Sequence, residues 1–514
     1  MLDTGRAPGA NAALGEPARH TLAEDTAWSA AASVSSLVGR LVAGIIIARR
    51  LGPEGTGQLA YLVWMADFVG TLSGLGLQNT MTRFLADVQG RGAVELTSSL
   101  ARWILVRFLG LSVVGAAALA IAGAEAKEGH ETLSLLCLYF LAQGIGSLYL
   151  AHLAGRQRFD ISAKLNLGTS CLLVAGVLAG TWTGGVRGAL AGYLAAALLP
   201  ACLSLTLLRG RACTRAVGPL LRKRVWSYAV NTWLAAIVSA LVWSRVEIFF
   251  IKRYWGDGDV AMFTVGLSLA GMAAQGPALL CGALMPHFAA RAGAKDMDSV
   301  ARTYAQATRL LALMLFPICL GVAAVTPALL PLLYGASFTP AVPSAMVLVA
   351  FSVLGVATVG SSLVYGLERS QFIAVSGLLG AALSVSACFL AIPIWGFWGA
   401  AWTRSAVQCT MIGMGFWYIA RRLGFAVPFA ALGRTLLAAL VSAALAYFAT
   451  AGSPSSWSIA VSAGIMTVCY GVIVRQMGLL SLSDVNALER LFAKMPGFFA
   501  RASRSALVWI ARAS

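Results

Sequence analysis

The chain has 514 residues, 59% hydrophobic and 11% charged, with a formal net charge of +18. A soluble protein carries about 25% charged residues, so a water-soluble enzyme or nucleic-acid-binding domain is excluded as the main body. The positive charge points instead to membrane topology and anionic lipid.

A helix crossing about 30 Å of hydrocarbon needs roughly 20 apolar residues. In lipid each backbone amide must be satisfied within its own segment, which leaves helices as the spanning elements. In chain order, residues 1–26 form a tail with acids such as Glu24 and Asp25 and no apolar signal core, so a cytoplasmic tail is expected rather than a cleaved leader. Fourteen apolar spans follow: 27–48, 57–80, 103–123, 133–154, 161–182, 185–208, 228–250, 260–285, 309–333, 344–367, 372–395, 398–420, 434–450 and 456–474. The fold class is therefore all-α integral membrane. Most of the nine cysteines, for example Cys171, Cys319 and Cys469, lie within spans and lack metal-ligand spacing. They read as small core residues, and neither a metal nor another cofactor is expected.

With an even number of spans both termini share one side, here called inside. Counting the first turn of a span with its loop, inside segments hold 28 Lys and Arg and outside loops six. This bias places both termini in the cytoplasm. The densest basic patch, Arg209 to Arg224, joins spans six and seven.

That patch also divides two copies of one pattern. Arg49-Arg50-Leu51-Gly52 after span one is echoed by Lys252-Arg253-Tyr254-Trp255-Gly256 after span seven. Met81-Thr82-Arg83-Phe84 is echoed by Met285-Pro286-His287-Phe288, a shift of 204. Gly155-Arg156-Gln157-Arg158 matches Gly366-Leu367-Glu368-Arg369, and Gly185-Val186-Arg187-Gly188-Ala189 matches Gly396-Phe397-Trp398-Gly399-Ala400, both shifted by 211. Six spans separate equivalent positions, so the halves share one orientation and are related by an axis along the membrane normal. The expected units are the tail 1–26, a six-helix lobe with basic linker 27–224, a second six-helix lobe 225–424, two additional spans within 425–481, and an interfacial C-terminal segment 482–514. In the last, Val485, Leu488 and Phe492 share a helical face, and Phe498, Phe499, Trp509 and Ile510 accompany Arg501, Arg504 and Arg512.

Charges inside the membrane are functional candidates because burying them costs about 2.5–3.5 kcal/mol even on the lenient insertion scale. Arg40 in span one and Asp67 in span two fall at nearly one depth, so an Arg40–Asp67 ion pair is plausible. Arg245 and Glu247, two residues apart, should point to opposite sides of span seven. Arg245 lies eight residues before Arg253, where Arg40 lies ten before Arg50. Two arginines would thus approach the interface between the halves, one from each. Arg404 in span twelve is a third candidate for the same cavity. Arginine is the side chain best suited to hold phosphate bidentately. Arg40, Arg245 and Arg404 are the candidate pyrophosphate ligands, and Asp67 and Glu247 the candidates for cavity electrostatics or coupling. Gln143, Asn231 and Gln275 are candidates for sugar contacts or, alternatively, for helix–helix hydrogen bonds. No catalytic residue is expected: the four histidines are scattered and no acid pair recurs on one face.

Three motifs carry a family resemblance. Ala48-Arg49-Arg50-Leu51-Gly52-Pro53-Glu54-Gly55-Thr56-Gly57 resembles the A-R-x-L-G-P-x-x-x-G signature of the polysaccharide biosynthesis, or Wzx-type flippase, family. Ile392-Pro393-Ile394-Trp395-Gly396-Phe397-Trp398-Gly399-Ala400-Ala401 resembles its I-P-x-x-G-x-x-G-A-A turn, and Leu333-Tyr334-Gly335-Ala336-Ser337-Phe338 its L-Y-G-x-x-F element. The likeness covers roughly residues 27–420. It implies the multidrug/oligosaccharidyl-lipid/polysaccharide exporter superfamily, with two six-helix lobes around a central cavity and two extra helices. It further implies a flippase for undecaprenyl-pyrophosphate-linked glycan, working by alternating access in the bacterial inner membrane. The implied partners are the lipid-linked glycan, the bilayer and other polysaccharide assembly proteins, without nucleic acid and with the chain as a monomer. The family's usual acid near the end of span seven appears here as Glu247, preceded by Arg245. Lipid II flippase and cation-coupled drug or small-molecule exporter remain open alternatives on the same fold, and a membrane glycan polymerase or ligase is a further one.

Overall fold

The computed structural model describes residues 22–91, 94–125, 129–209, 217–243, 245–278, 281, 284–450 and 456–479. The C-terminal segment 482–514 and residues 1–21 of the tail lie outside the described residues, so the expected interfacial helices are not placed. Among the described residues there are fifteen α-helices and no strand. They are α1 (Leu22–Ser73), α2 (Leu77–Gly90), α3 (Val94–Glu125), α4 (His130–Gly155), α5 (Phe159–Arg209), α6 (Pro219–Trp243), α7 (Glu247–Tyr254), α8 (Asp257–Ala278), α9 (Leu284–Gly293), α10 (Met297–Tyr334), α11 (Val342–Phe351), α12 (Thr358–Gly366), α13 (Ser370–Arg421), α14 (Phe429–Thr450) and α15 (Ser456–Gln476).

The described residues of the fourteen spans are mostly helical, and several span ends follow from turn chemistry. Spans one and two are the arms of α1, reversed at Gly52, where φ is 65° and ψ −170°. Pro53 then occupies the first position of the second arm, where its missing N–H costs nothing. Spans five and six are the arms of α5, reversed at Gly184 and Gly185, and spans eleven and twelve those of α13, reversed at Gly396. At Gly396 (φ 56°, ψ −138°) a side chain is excluded twice over: the backbone region is open essentially to glycine alone, and an added Cβ would lie 3.2 Å from the Trp255 ring. The indole of Trp255 donates to the Ile392 carbonyl at 2.8 Å, tying α7 to this turn.

The repeats seen in the sequence recur in the backbone. Gly52 and Gly256 both have positive φ, Gly185 and Gly396 share nearly the same φ and ψ, and Gln157 and Glu368 have φ of 56° and 58°. Gly155 at the end of α4 packs on Thr82 and Leu85 of α2, as Gly366 at the end of α12 packs on Met285, Phe288 and Ala289 of α9. Two six-span lobes result, the first from α1–α5 and the second from α6–α13. The extra helices α14 and α15 pack on each other and on α10, where the Tyr470 hydroxyl donates to the Leu313 carbonyl at 2.9 Å.

Three expectations need correction. Span seven is not continuous: α6 stops at Trp243 and α7 starts at Glu247, with Arg245 between them. Span eight divides into α8 and α9, and α6 begins at Pro219, inside the stretch assigned to the basic linker.

The lobes meet at the end carrying the glycine turns. Ala48 of α1 joins Ala261 and Val265 of α8, Leu330 and Tyr334 of α10, and Phe338 in one buried cluster. Gly57 allows this approach, since a Cβ there would sit 1.7 Å from the Asp257 carbonyl oxygen. At the opposite end the principal contact between lobes is α6 against α2 and the end of α1, where the Trp233 indole donates to the Leu72 carbonyl at 2.8 Å. Helices α9 and α12 pack on each other and within the second lobe. The lobes are thus joined by a buried cluster at the turn end and by α6 packed on α2 at the other.

Candidate functional site

The charged residues of the spans converge at mid-depth between the lobes. Arg40 precedes the Gly52 turn by twelve residues and Asp67 follows it by fifteen. At about 1.5 Å per residue they lie roughly 18 and 22 Å along their arms from the turn end. Arg245 precedes the Gly256 turn by eleven residues, or roughly 16 Å on the same rise. Arg40, Asp67 and Arg245 are all exposed. The charges of Arg40, Asp67, Glu247 and Arg404 all act on Arg245, and those of Arg40 and Arg245 on Asp67. Groups from both lobes therefore share one electrostatic neighbourhood.

Arg245 reaches this place by a break in its helix. Its φ is +65°, a conformation uncommon for a residue with a Cβ. Such a backbone costs about 1–3 kcal/mol and persists where surrounding structure enforces it, commonly at functional sites. The Ile248 amide donates to the Arg245 carbonyl at 3.0 Å and the Phe249 amide to the Val246 carbonyl at 3.1 Å, which restarts the helix. Glu247 then opens α7 and turns away from the space, its side chain 2% exposed.

The partner of Glu247 is Arg404 on α13, with Nη1 3.1 Å from Oε1 and 3.5 Å from Oε2. The Arg404 guanidinium is held here in a largely buried ion pair, 11% exposed. The expected direct Arg40–Asp67 ion pair is replaced by a longer-range relation, each within the field of the other. Arg245 and Glu247 do diverge as expected, through the helix break and not through helical periodicity. With Arg404 neutralised by Glu247, the accessible set is two guanidiniums and one carboxylate, a net charge of +1 in the space.

Two tyrosines were missed. Tyr139 of α4 and Tyr193 of α5 lie edge to face, centroids 5.9 Å apart, and both sit in the fields of Asp67 and Arg40. Aromatic residues in apolar spans carry no distinguishing sequence signal, so only their neighbours reveal them. Gln143 is exposed one helical turn from Tyr139, on the same face of α4. Gln275 is exposed toward the far end of α8. Asn231 lies elsewhere, beside Arg83 and Arg224 where α6 meets α2.

A further arginine closes the turn end. Arg49 Nε donates to the Leu333 carbonyl at 2.8 Å, and Nη2 donates to the Leu332 carbonyl. These are orphan carbonyls at the end of α10, where a cation also meets the negative pole of the helix. The contact joins the first motif to the third, across the lobes. Removing it by Arg49→Ala should loosen the seal. A cysteine placed at the buried Ala261, with native cysteines replaced by serine, should then react about tenfold faster with a membrane-impermeant thiol reagent, given about 1.5–3 kcal/mol for a charged hydrogen bond. Unchanged reactivity would mean that Arg49 does not hold the lobes together.

Residues 46–343 match the model of a family described as polysaccharide biosynthesis protein. The fold is similar to that of the lipid II flippase MurJ in an inward closed conformation, with a TM-score of 0.69 and 10% identity over 88% of this chain and 98% of that one. It is also similar to an inward-facing multidrug resistance MATE family transporter of the MOP superfamily, with a TM-score of 0.61 and 16% identity over 78% of this chain and 96% of the other. A MOP superfamily transporter from Pyrococcus furiosus aligns with a TM-score of 0.53 and 15% identity over 80% and 97% of the two chains. No match was found among curated proteins.

Proposed function

Because the chain belongs to the polysaccharide biosynthesis protein family, we propose that it is a flippase that carries a polyprenyl-pyrophosphate-linked oligosaccharide from the cytoplasmic to the outer leaflet of the bacterial inner membrane. The observation that supports this reading is the pair of exposed guanidiniums, Arg40 and Arg245, one on each lobe and near enough for their charges to act on each other. Two arginines from two lobes can each grip one phosphate through parallel N–H donors. Asp67 beside them keeps the net charge low, so the phosphates are held without being trapped. The exposed amide of Gln143 on α4 can hydrogen-bond a glycan hydroxyl. The polyprenyl tail stays in lipid outside the gap between lobes.

On this reading the end opposite the glycine turns is the cytoplasmic one, in keeping with the distribution of Lys and Arg. Loading occurs there. Rocking of the lobes then breaks the Ala48–Ala261 seal and parts the turn end. Moving a head group of charge −2 outward through an inside-negative potential of 100 mV releases about 4–5 kcal/mol, at about 2.3 kcal/mol per charge. The voltage thus supplies direction.

The test is leaflet exchange by the purified protein in liposomes holding a fluorescent polyprenyl-pyrophosphate glycan, read by a membrane-impermeant quencher. Faster exchange than in protein-free liposomes, increased by an inside-negative potential, is the expected result. Exchange of lipid II alone, or drug uptake without glycan exchange, would move the assignment to the corresponding relative on the same fold. Glycosyl transfer by the purified protein would replace transport with an enzymatic reading.

A further inference from the structure

A second concentration of positive charge lies away from the central space, at the joint of α2 and α6. A cavity of 430 Å³ there is lined by Arg83, Phe84, Lys223, Arg224, Tyr228 and Asn231, with Leu220 at its rim. Its size falls in the range of ligand pockets, about 300–1,000 Å³. Asn231 precedes Arg245 by fourteen residues, about 20 Å along the helix direction, so this cavity is separate from the Arg40–Arg245 site.

The cations are poorly compensated. Arg83 lies 4.1 Å from the Tyr228 ring and 5.8 Å from that of Phe84, and Arg224 lies 5.7 Å from Phe84. The carboxylate nearest to Arg224 is Asp87 at 3.9 Å, and Asp87 is already held by Arg91 at 3.0 Å. Asp87 is not among the lining residues. Stacking on rings orients a guanidinium but leaves its N–H donors open. Three cations thus face one cavity beside the first turns of α6, whose amides add positive potential.

The same cavity is amphiphilic. Leu220 is 85% exposed, and Phe84 and Tyr228 supply aromatic walls. A free phosphate would use the cations only, whereas a lipid would use the apolar rim as well. We propose that this cavity binds the phosphate ester of an anionic membrane lipid, with Arg83, Lys223 and Arg224 on the phosphate, Asn231 on a headgroup hydroxyl and Leu220 along the acyl chain. Because α2 and α6 belong to different lobes and pack on each other here, a lipid seated there bridges the lobes at their joint. The proposal concerns binding and stands whether or not the flippase reading holds.

Native mass spectrometry of the full chain in detergent, titrated with phosphatidylglycerol or phosphatidylcholine, tests it. The protein should retain one phosphatidylglycerol in preference to phosphatidylcholine. Replacing Arg83, Lys223 and Arg224 together by Ala should weaken that retention at least tenfold, given about 1 kcal/mol per basic residue near anionic lipid. The Arg83→Lys/Arg224→Lys variant, which keeps the charge, should retain most of it and guards against misfolding of the first variant. The Arg40→Ala/Arg245→Ala variant should bind the lipid normally. Inorganic phosphate at millimolar concentration distinguishes the source: persistence of the lipid supports a lipid site, and displacement assigns the same phosphate site to a soluble ion. Equal retention of the two lipids, or undiminished binding by the triple alanine variant, would overturn the proposal.

Discussion

Replacing Arg40 and Arg245 together by Ala should abolish export of surface glycan while the protein remains in the membrane at its normal level. Each guanidinium–phosphate contact is a charged hydrogen-bond interaction of about 1.5–3 kcal/mol. Losing both should slow transport at least a hundredfold, at about 1.4 kcal/mol per tenfold. Both side chains are exposed, so truncation leaves no cavity in the packed core and should cost little stability. Lysine at both positions should restore part of the activity, since a point charge replaces a bidentate fork. A role in packing alone would give a different pattern, with Ala and Lys equally harmful and protein level falling with activity. Normal export by the alanine variant would remove the arginine pair from the mechanism and with it the main support for a pyrophosphate-bearing cargo.

The helical bundle and its repeats were readable in advance because both rest on short-range signals. Hydropathy over about twenty residues finds a span, and Gly185-Val186-Arg187-Gly188-Ala189 against Gly396-Phe397-Trp398-Gly399-Ala400 reports a turn that only glycine can make. The three motifs proved to be closure elements: Arg49 and Leu333 touch each other, and Gly396 seats Trp255. What could not be read was any pairing at long separation. Glu247 and Arg404 are 157 residues apart and Arg49 and Leu333 are 284 apart, and no local pattern marks either contact. The helix break at Arg245 was hidden for another reason. Val242, Trp243 and Val246 continue an apolar run without Gly or Pro, so periodicity predicts a helix straight through it. An ideal helix would separate Arg245 and Glu247 by periodicity, whereas the structure separates them by the break before α7.

The buried pair carries the largest expected effect on stability. Glu247→Ala leaves the Arg404 guanidinium in a site where it is 11% exposed and without its carboxylate. Breaking one partner of a buried pair costs about 3–5 kcal/mol, because the remaining charge is uncompensated. That is a large fraction of the roughly 5–15 kcal/mol by which a folded protein exceeds its unfolded state, so the variant should melt at markedly lower temperature in detergent and accumulate poorly. Arg404→Met should be harmful in the same way, since Glu247 would then be stranded. The double variant Glu247→Gln/Arg404→Met removes both charges and should regain most of the lost stability, because a neutral, well-packed replacement of a buried pair is often no worse than the pair itself. Transport by that double variant separates two roles. If it exports glycan, the pair is scaffolding that holds α7 against α13 and aims Arg245 from the adjoining break. If it folds normally and does not export, Glu247 or Arg404 acts in the transport cycle itself, through a state in which the two part and Arg404 joins Arg40 and Arg245 on the phosphates. Equal stability of the wild type and the two single variants would mean that water reaches the pair, contrary to its burial between α7 and α13.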